Sequence, residues 1–114
     1  MMPAQVPVVD AGSVDADVVI LDVREDDEWA AGHIAGAVHV PMMQLPHRLQ
    51  FDPGPLTPDV PIVVVCKVGS RSAQVTAWLR HHGYDATNLS GGMYAWEDAG
   101  RPMEASDGRP PRVV

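Results

Sequence analysis

The stretch IVVVCKVGSRSAQVTAWL, Ile62 to Leu79, decides the fold. Ile62-Val63-Val64-Val65 is a continuous β-branched run, which suits a strand buried on both faces of a parallel sheet rather than an alternating edge strand. The run ends at Cys66, the single cysteine of the chain, and a short glycine-containing loop follows. A helical pattern then begins at once. In SAQVTAWLRHHG, Val75, Trp78, Leu79 and His82 recur at i, i+3, i+4 and i+7, and Gly83 supplies the C-terminal stop.

Outward from that unit the same alternation repeats. Val18 to Leu21 is a second buried-strand run, and Val6 to Val9, Ala37 to Val40 and Ala86 to Leu89 are shorter strand candidates. REDDEWAAGH opens on acidic residues that complement a helix N-terminus and stops at Gly32; GGMYAWEDAG reads as a short last helix ended by Gly100. In PMMQLPHRLQ, Pro46 would break a continuous helix, so a turn restarting at Pro46 is expected. Strands alternating with helices predict an α/β fold with right-handed crossovers and a parallel sheet covered on both sides. The four prolines between Phe51 and Pro61 predict a surface loop. Residues 1–100 read as a single domain. The polar, proline-rich tail 101–114 is expected to be partly disordered or draped over the body.

Composition narrows the function. Of 114 residues, 46% are hydrophobic and 20% charged, as in a globular protein with a real core, and the apolar runs are too short to span a membrane. The N-terminus MMPAQVPVVD has neither a basic nor a long apolar region, so no secretory signal is expected. One cysteine excludes an internal disulfide and a cysteine-rich metal site, and a reducing, cytoplasmic setting is the simplest expectation. The net charge of −7 makes nucleic acid and anionic membranes poor partners. Lys67 and Arg71 therefore form a cationic island beside Cys66 on an acidic chain.

In open parallel sheets ligands bind at the carboxyl ends of the strands. There Lys67-Val68-Gly69-Ser70-Arg71 can curl so that successive N–H groups converge on the sulfur, with Gly69 free to take a positive φ. Such a nest beside a helix start stabilises an anion and can lower a thiol pKa from ~8.5 by one unit or more. The alternative for a lone buried cysteine is an inert packing role. The glycine, the two cations and the helix start together favour a reactive thiolate.

Four separated pieces, LDVREDDEW (Leu21 to Trp29), GHIAGAVHVP (Gly32 to Pro41), CKVGSRS (Cys66 to Ser72) and LSGGMYAW (Leu89 to Trp96), resemble the single-domain rhodaneses, a sulfurtransferase family. The resemblance implies a rhodanese-like α/β fold with a central five-stranded, mostly parallel sheet flanked by helices on both faces. It implies that Cys66 accepts sulfane sulfur from thiosulfate or a related donor, forms a persulfide, and passes the sulfur to a thiol or cyanide. Lys67, Val68, Gly69, Ser70 and Arg71 match the rest of the active loop. Within it Arg71 would fork onto two sulfonate oxygens and Lys67 would act as a point charge. No metal or organic cofactor is implied. A persulfide carrier that exchanges sulfur with a relay protein is the alternative. Cysteine-dependent phosphatases and arsenate reductases of related fold resemble C-x5-R; here C-x4-R makes a loop one residue shorter, better sized for one added sulfur atom.

Other residues stay open at this level. Asp22 and Arg24 end a buried strand and either shape the site rim or form an ion pair that holds neighbouring loops. His33 is expected to be tied into the fold rather than to act as a base. Trp29, Trp78 and Trp96 fit core positions. Met42 and Met43 either line a soft apolar entrance or simply pack. The segment between Val9 and Val18 is too short for the helix many relatives carry after the first strand, which would leave one sheet edge less covered. With no second cysteine, sulfur bound at Cys66 must leave to an external acceptor.

Overall fold

The structure, a computed structural model, describes residues 5–114; Met1 to Ala4, part of the segment read for a signal, lie outside the described residues. In chain order the strands are β1 (Val8–Val9), β2 (Val19–Asp22), β3 (His33–Ile34), β4 (Val38–His39), β5 (Pro61–Val65), β6 (Asp85–Leu89) and β7 (Met103–Glu104). The helices are α1 (Asp26–Ala31), α2 (Leu45–Phe51), α3 (Ser70–His81) and α4 (Gly92–Asp98). Five strands form one sheet in the order β1-β6-β5-β2-β4, every pairing parallel, with β5 at its centre.

The β-branched run of β5 is buried on both faces, as its composition requires. Ile62, Val64 and Cys66 join Leu21, Val23, Val40, Leu45, Val75 and Leu79 on one side. Val63 and Val65 join Ala11, Val14, Ile34, Leu89, Met93 and Trp96 on the other. The period-2 alternation of a strand thus divides one apolar run between two cores. Register then places the carboxyl ends of β2, β5 and β6 together, with Asp22 opposite Val65 and Val64 opposite Asn88.

Several elements refine the expectations. α1 starts at Asp26, where Glu25 and Glu28 form a reciprocal capping box. A 3-10 turn over Met42–Gln44 precedes α2, whose first turn contains Pro46, consistent with a restart there. The proline-rich loop lies at the surface but buries Leu56 in the core. In place of a helix after β1, a 3-10 turn at Ala11–Ser13 buries Ala11 and Val14, and Arg101 donates to both their carbonyls at 2.7 and 3.0 Å. The edge strand itself stays open in part, with Val8 exposed. The tail is draped: β7 pairs antiparallel with β3, and the amides of Ser106 and Arg112 donate to Ala30 and Ala31 at 2.9 and 3.0 Å. Gly32 admits this strap, since a Cβ there would collide with the Arg112 backbone.

Asp22 and Arg24 form a fully buried ion pair. Arg24 donates through Nε and Nη2 to Asp22 at 2.9 and 2.7 Å and through Nη2 to the Gly32 carbonyl at 2.8 Å, which ties β2 to the end of α1. Arg24 Nη1 has no partner among the described residues. Removing one member of such a pair leaves the other charge stranded. Asp22→Ala should therefore lower the unfolding free energy by about 3 kcal/mol or more in urea titrations followed by tryptophan fluorescence. Asp22→Leu combined with Arg24→Met should lose less than the single variant. A negligible loss in Asp22→Ala would contradict the assigned role.

Candidate active site

Cys66 follows the last residue of β5 and is fully buried. The backbone then turns over itself. Gly69 adopts φ 108°, a left-handed conformation open to glycine at little cost, and serves as the N-cap of α3. α3 begins at Ser70, two residues earlier than the periodicity of its apolar face indicated. The N–H groups of Gly69 and Ser72 donate to Cys66 Sγ at 3.1 and 3.3 Å, and the Ser72 hydroxyl lies 3.2 Å from it.

Amides can face inward only if the intervening carbonyls are satisfied elsewhere. The start of α4 supplies that. Met93 N–H donates to the Cys66 carbonyl at 2.9 Å and Tyr94 N–H to the Lys67 carbonyl at 3.3 Å. Gly92 makes this approach possible, because a Cβ there would stand 2.5 Å from both carbonyl oxygens. The Gly69 carbonyl accepts from Ala73 N–H and from Asn88 Nδ2, each at 3.1 Å. Every carbonyl named here is held away from the sulfur by a donor outside the nest.

Burial pushes the Cys66 thiol up. The Ser72 hydroxyl and the N–H groups of Ser72, Gly69 and Val68 together outweigh that and hold its pKa below the ordinary cysteine value. Ser72 Oγ is also 2.6 Å from Asn88 Oδ1. A hydroxyl has one proton, so Ser72 donates to Asn88 or to sulfur at a given moment, not to both.

The cations are placed differently from expectation. Both terminal nitrogens of Arg71 are engaged by Glu28 of α1, at 2.7 and 2.8 Å, so its fork binds a carboxylate of the chain itself. Lys67 extends over the Tyr94 ring, its Nζ 5.7 Å from the centroid. Val68 is exposed and contributes through its backbone amide, while the Ser70 side chain caps no group. Asp22 and Arg24 are a buried pair beneath the site rather than part of its exposed rim. His33 is buried, with Nδ1 2.7 Å from the Trp29 carbonyl, and Trp29 stacks between His33 and His39 at 3.6 and 4.7 Å. Trp96 is buried, whereas Trp78, only partly buried, lines a surface cavity of about 270 Å³ with Met42, Met43, Leu45 and Val75.

Sequence reading missed Ser72, Asn88, Glu28 and Gly92 as parts of the site. Asn88 carried one usable signal: it is a polar residue inside a strand that enters the core, a position that requires partners.

The rhodanese-like domain family matches residues 8–99. A sulfurtransferase of Allochromatium vinosum is 38% identical, over 81% of this chain and 83% of its own length. The thiosulfate sulfurtransferase GlpE of Pseudomonas fluorescens is 33% identical over 79% of each chain. The crystal structure of a rhodanese-related protein from Thermoplasma volcanium superimposes with a TM-score of 0.78 at 27% identity, covering 86% of this chain and 97% of that one.

Because hydrogen bonds to the ionised form lower an acidic pKa, deleting one raises it. Ser72→Ala should raise the Cys66 pKa, because one hydrogen bond to the charged sulfur is lost. The pH profile of iodoacetamide alkylation reads this directly. A midpoint that stays in place or falls would show that the hydroxyl does not serve the thiolate.

Proposed function

The chain belongs to the rhodanese-like domain family, and we propose that it is a sulfurtransferase that carries sulfane sulfur as a persulfide on Cys66. The observation that supports this most is the ring of donors on Sγ from Gly69 and Ser72, a site built for a negatively charged sulfur.

In the first half-reaction the Cys66 thiolate attacks the outer sulfur of thiosulfate or of an alkyl persulfide. A Cys66–sulfur bond forms as the donor's S–S bond breaks, and the electron pair departs with sulfite or with the alkyl thiolate. The terminal sulfur of the new persulfide then takes the negative charge into the field of the loop amides. In the second half-reaction an acceptor thiolate, or cyanide, attacks that terminal sulfur, and the electron pair returns to Cys66 as thiolate. The acceptor is external because the chain has one cysteine. A single thiol that returns to the reduced state after every transfer suits the reducing cytoplasm.

The C-x4-R loop favours this reading over phosphate or arsenate chemistry. Its Gly69 and Ser72 amides converge on one sulfur atom at 3.1 and 3.3 Å, and a loop one residue shorter than C-x5-R leaves less room for a tetrahedral oxyanion.

Incubation with thiosulfate should add the mass of one sulfur atom to the intact protein, and subsequent cyanide should remove it with release of thiocyanate. Cys66→Ser should gain nothing. No gain in the wild type from thiosulfate or from an alkyl persulfide, or a gain that survives Cys66→Ser, would overturn the proposal.

A further inference from the structure

The charges around the loop are largely paired within the chain. Arg24 is matched by Asp22 and Arg71 by Glu28. Among the described residues Lys67 is the loop cation with no carboxylate partner. The Arg71–Glu28 contact is not a loose surface pair. Glu28 presents two oxygens to two guanidinium nitrogens, and its side chain is only 14% exposed. Its Oε1 also accepts from the Glu25 amide at 3.1 Å, so the helix cap fixes where the carboxylate stands. The Arg71 hydrogen bonds hold the Glu28 carboxyl below its ordinary range, which keeps it ionised at neutral pH.

A planar guanidinium binds two oxygens of an anion side by side. In this protein both terminal nitrogens already hold such a pair. Arg71 is also within electrostatic reach of Cys66, so the charge state of the Arg71–Glu28 unit is felt at the sulfur. With Glu28 in place that unit is neutral overall. A dianion must then displace Glu28 or approach with Lys67 and the loop amides as its attractors. A donor with a single negative charge requires less.

We propose that Glu28 is a specificity-determining residue: it fills the Arg71 fork as a built-in counter-anion and biases the site toward singly charged alkyl persulfides and away from dianionic thiosulfate. The proposal rests on the sulfurtransferase reading and adds the class of donor. The chemistry balances for that donor. The Cys66 thiolate attacks the terminal sulfur of R–S–S⁻, the S–S bond of the donor breaks, its electron pair leaves with R–S⁻, and the transferred sulfur keeps its negative charge as the enzyme persulfide anion.

The test compares sulfur loading of Cys66 from thiosulfate and from 2-hydroxyethyl persulfide, followed by intact mass over time. Glu28→Gln keeps the capping box, since glutamine also serves at that position, and removes the charge. The ratio of thiosulfate to persulfide loading rates should rise about fivefold, mainly through a lower KM for thiosulfate, as expected for one unit charge near a dianion. In an Arg71→Gln background the same substitution should lose most of that shift, which a purely structural role for Glu28 would not explain. An unmoved or lowered ratio overturns the proposal. The wild type supplies a check independent of any variant's folding: a KM for thiosulfate below that for 2-hydroxyethyl persulfide also overturns it. Wild-type loading with an unmoved ratio sinks this inference alone; no loading from either donor sinks the sulfurtransferase reading with it.

Discussion

Cys66 is buried, and burial alone would keep its thiol protonated. Everything distinctive about this end of the sheet serves to reverse that. Three main-chain amides and one hydroxyl lower the pKa, and each must be aimed at one atom. Aiming amides inward forces carbonyls outward, and outward carbonyls need donors. The donors come from α4 and from Asn88, which belong to later parts of the chain outside the loop. The loop around Cys66 is therefore a joint product of β5, β6 and two helix starts rather than an autonomous turn.

This dependence explains the placement of the glycines that matter. Gly69 turns the backbone where a side chain would strain it, and Gly92 lets α4 come within hydrogen-bonding distance of the loop. Gly69 also donates its own N–H to the sulfur, whereas Gly92 acts only through the carbonyls it lets α4 reach. The buried Asp22–Arg24 pair ties the end of β2 to the Gly32 carbonyl just after α1, the helix that carries Glu28. Stability and site geometry are coupled through these few polar groups, which is where buried networks exert the largest effects.

Much of this was legible in the sequence because it is local. Ile62 to Val65 announced a strand buried on both faces, the spacing of Val75, Trp78 and Leu79 announced the helix, and the loop between them announced amides converging on Cys66. What was not legible was long-range. Nothing in CKVGSRS indicates that the Arg71 fork is filled from 43 residues away by Glu28, or that Asn88 shares the Ser72 proton. These contacts depend on which strand lies beside β5, and strand order is a property of topology. The tail shows the same limit. Its composition marked a polar, proline-rich segment, but its pairing with β3 and the close approach of Arg112 to Gly32 arise only in three dimensions.

The account stands on the ionisation of one sulfur. Ultraviolet absorbance of the thiolate, followed against pH in the native protein with Cys66→Ser as the blank, reads that ionisation without any substrate or partner. The account predicts a midpoint clearly below the ordinary cysteine value of about 8.5. A midpoint at or above that value would mean that burial outweighs the donor ring, and the central claim would be contradicted.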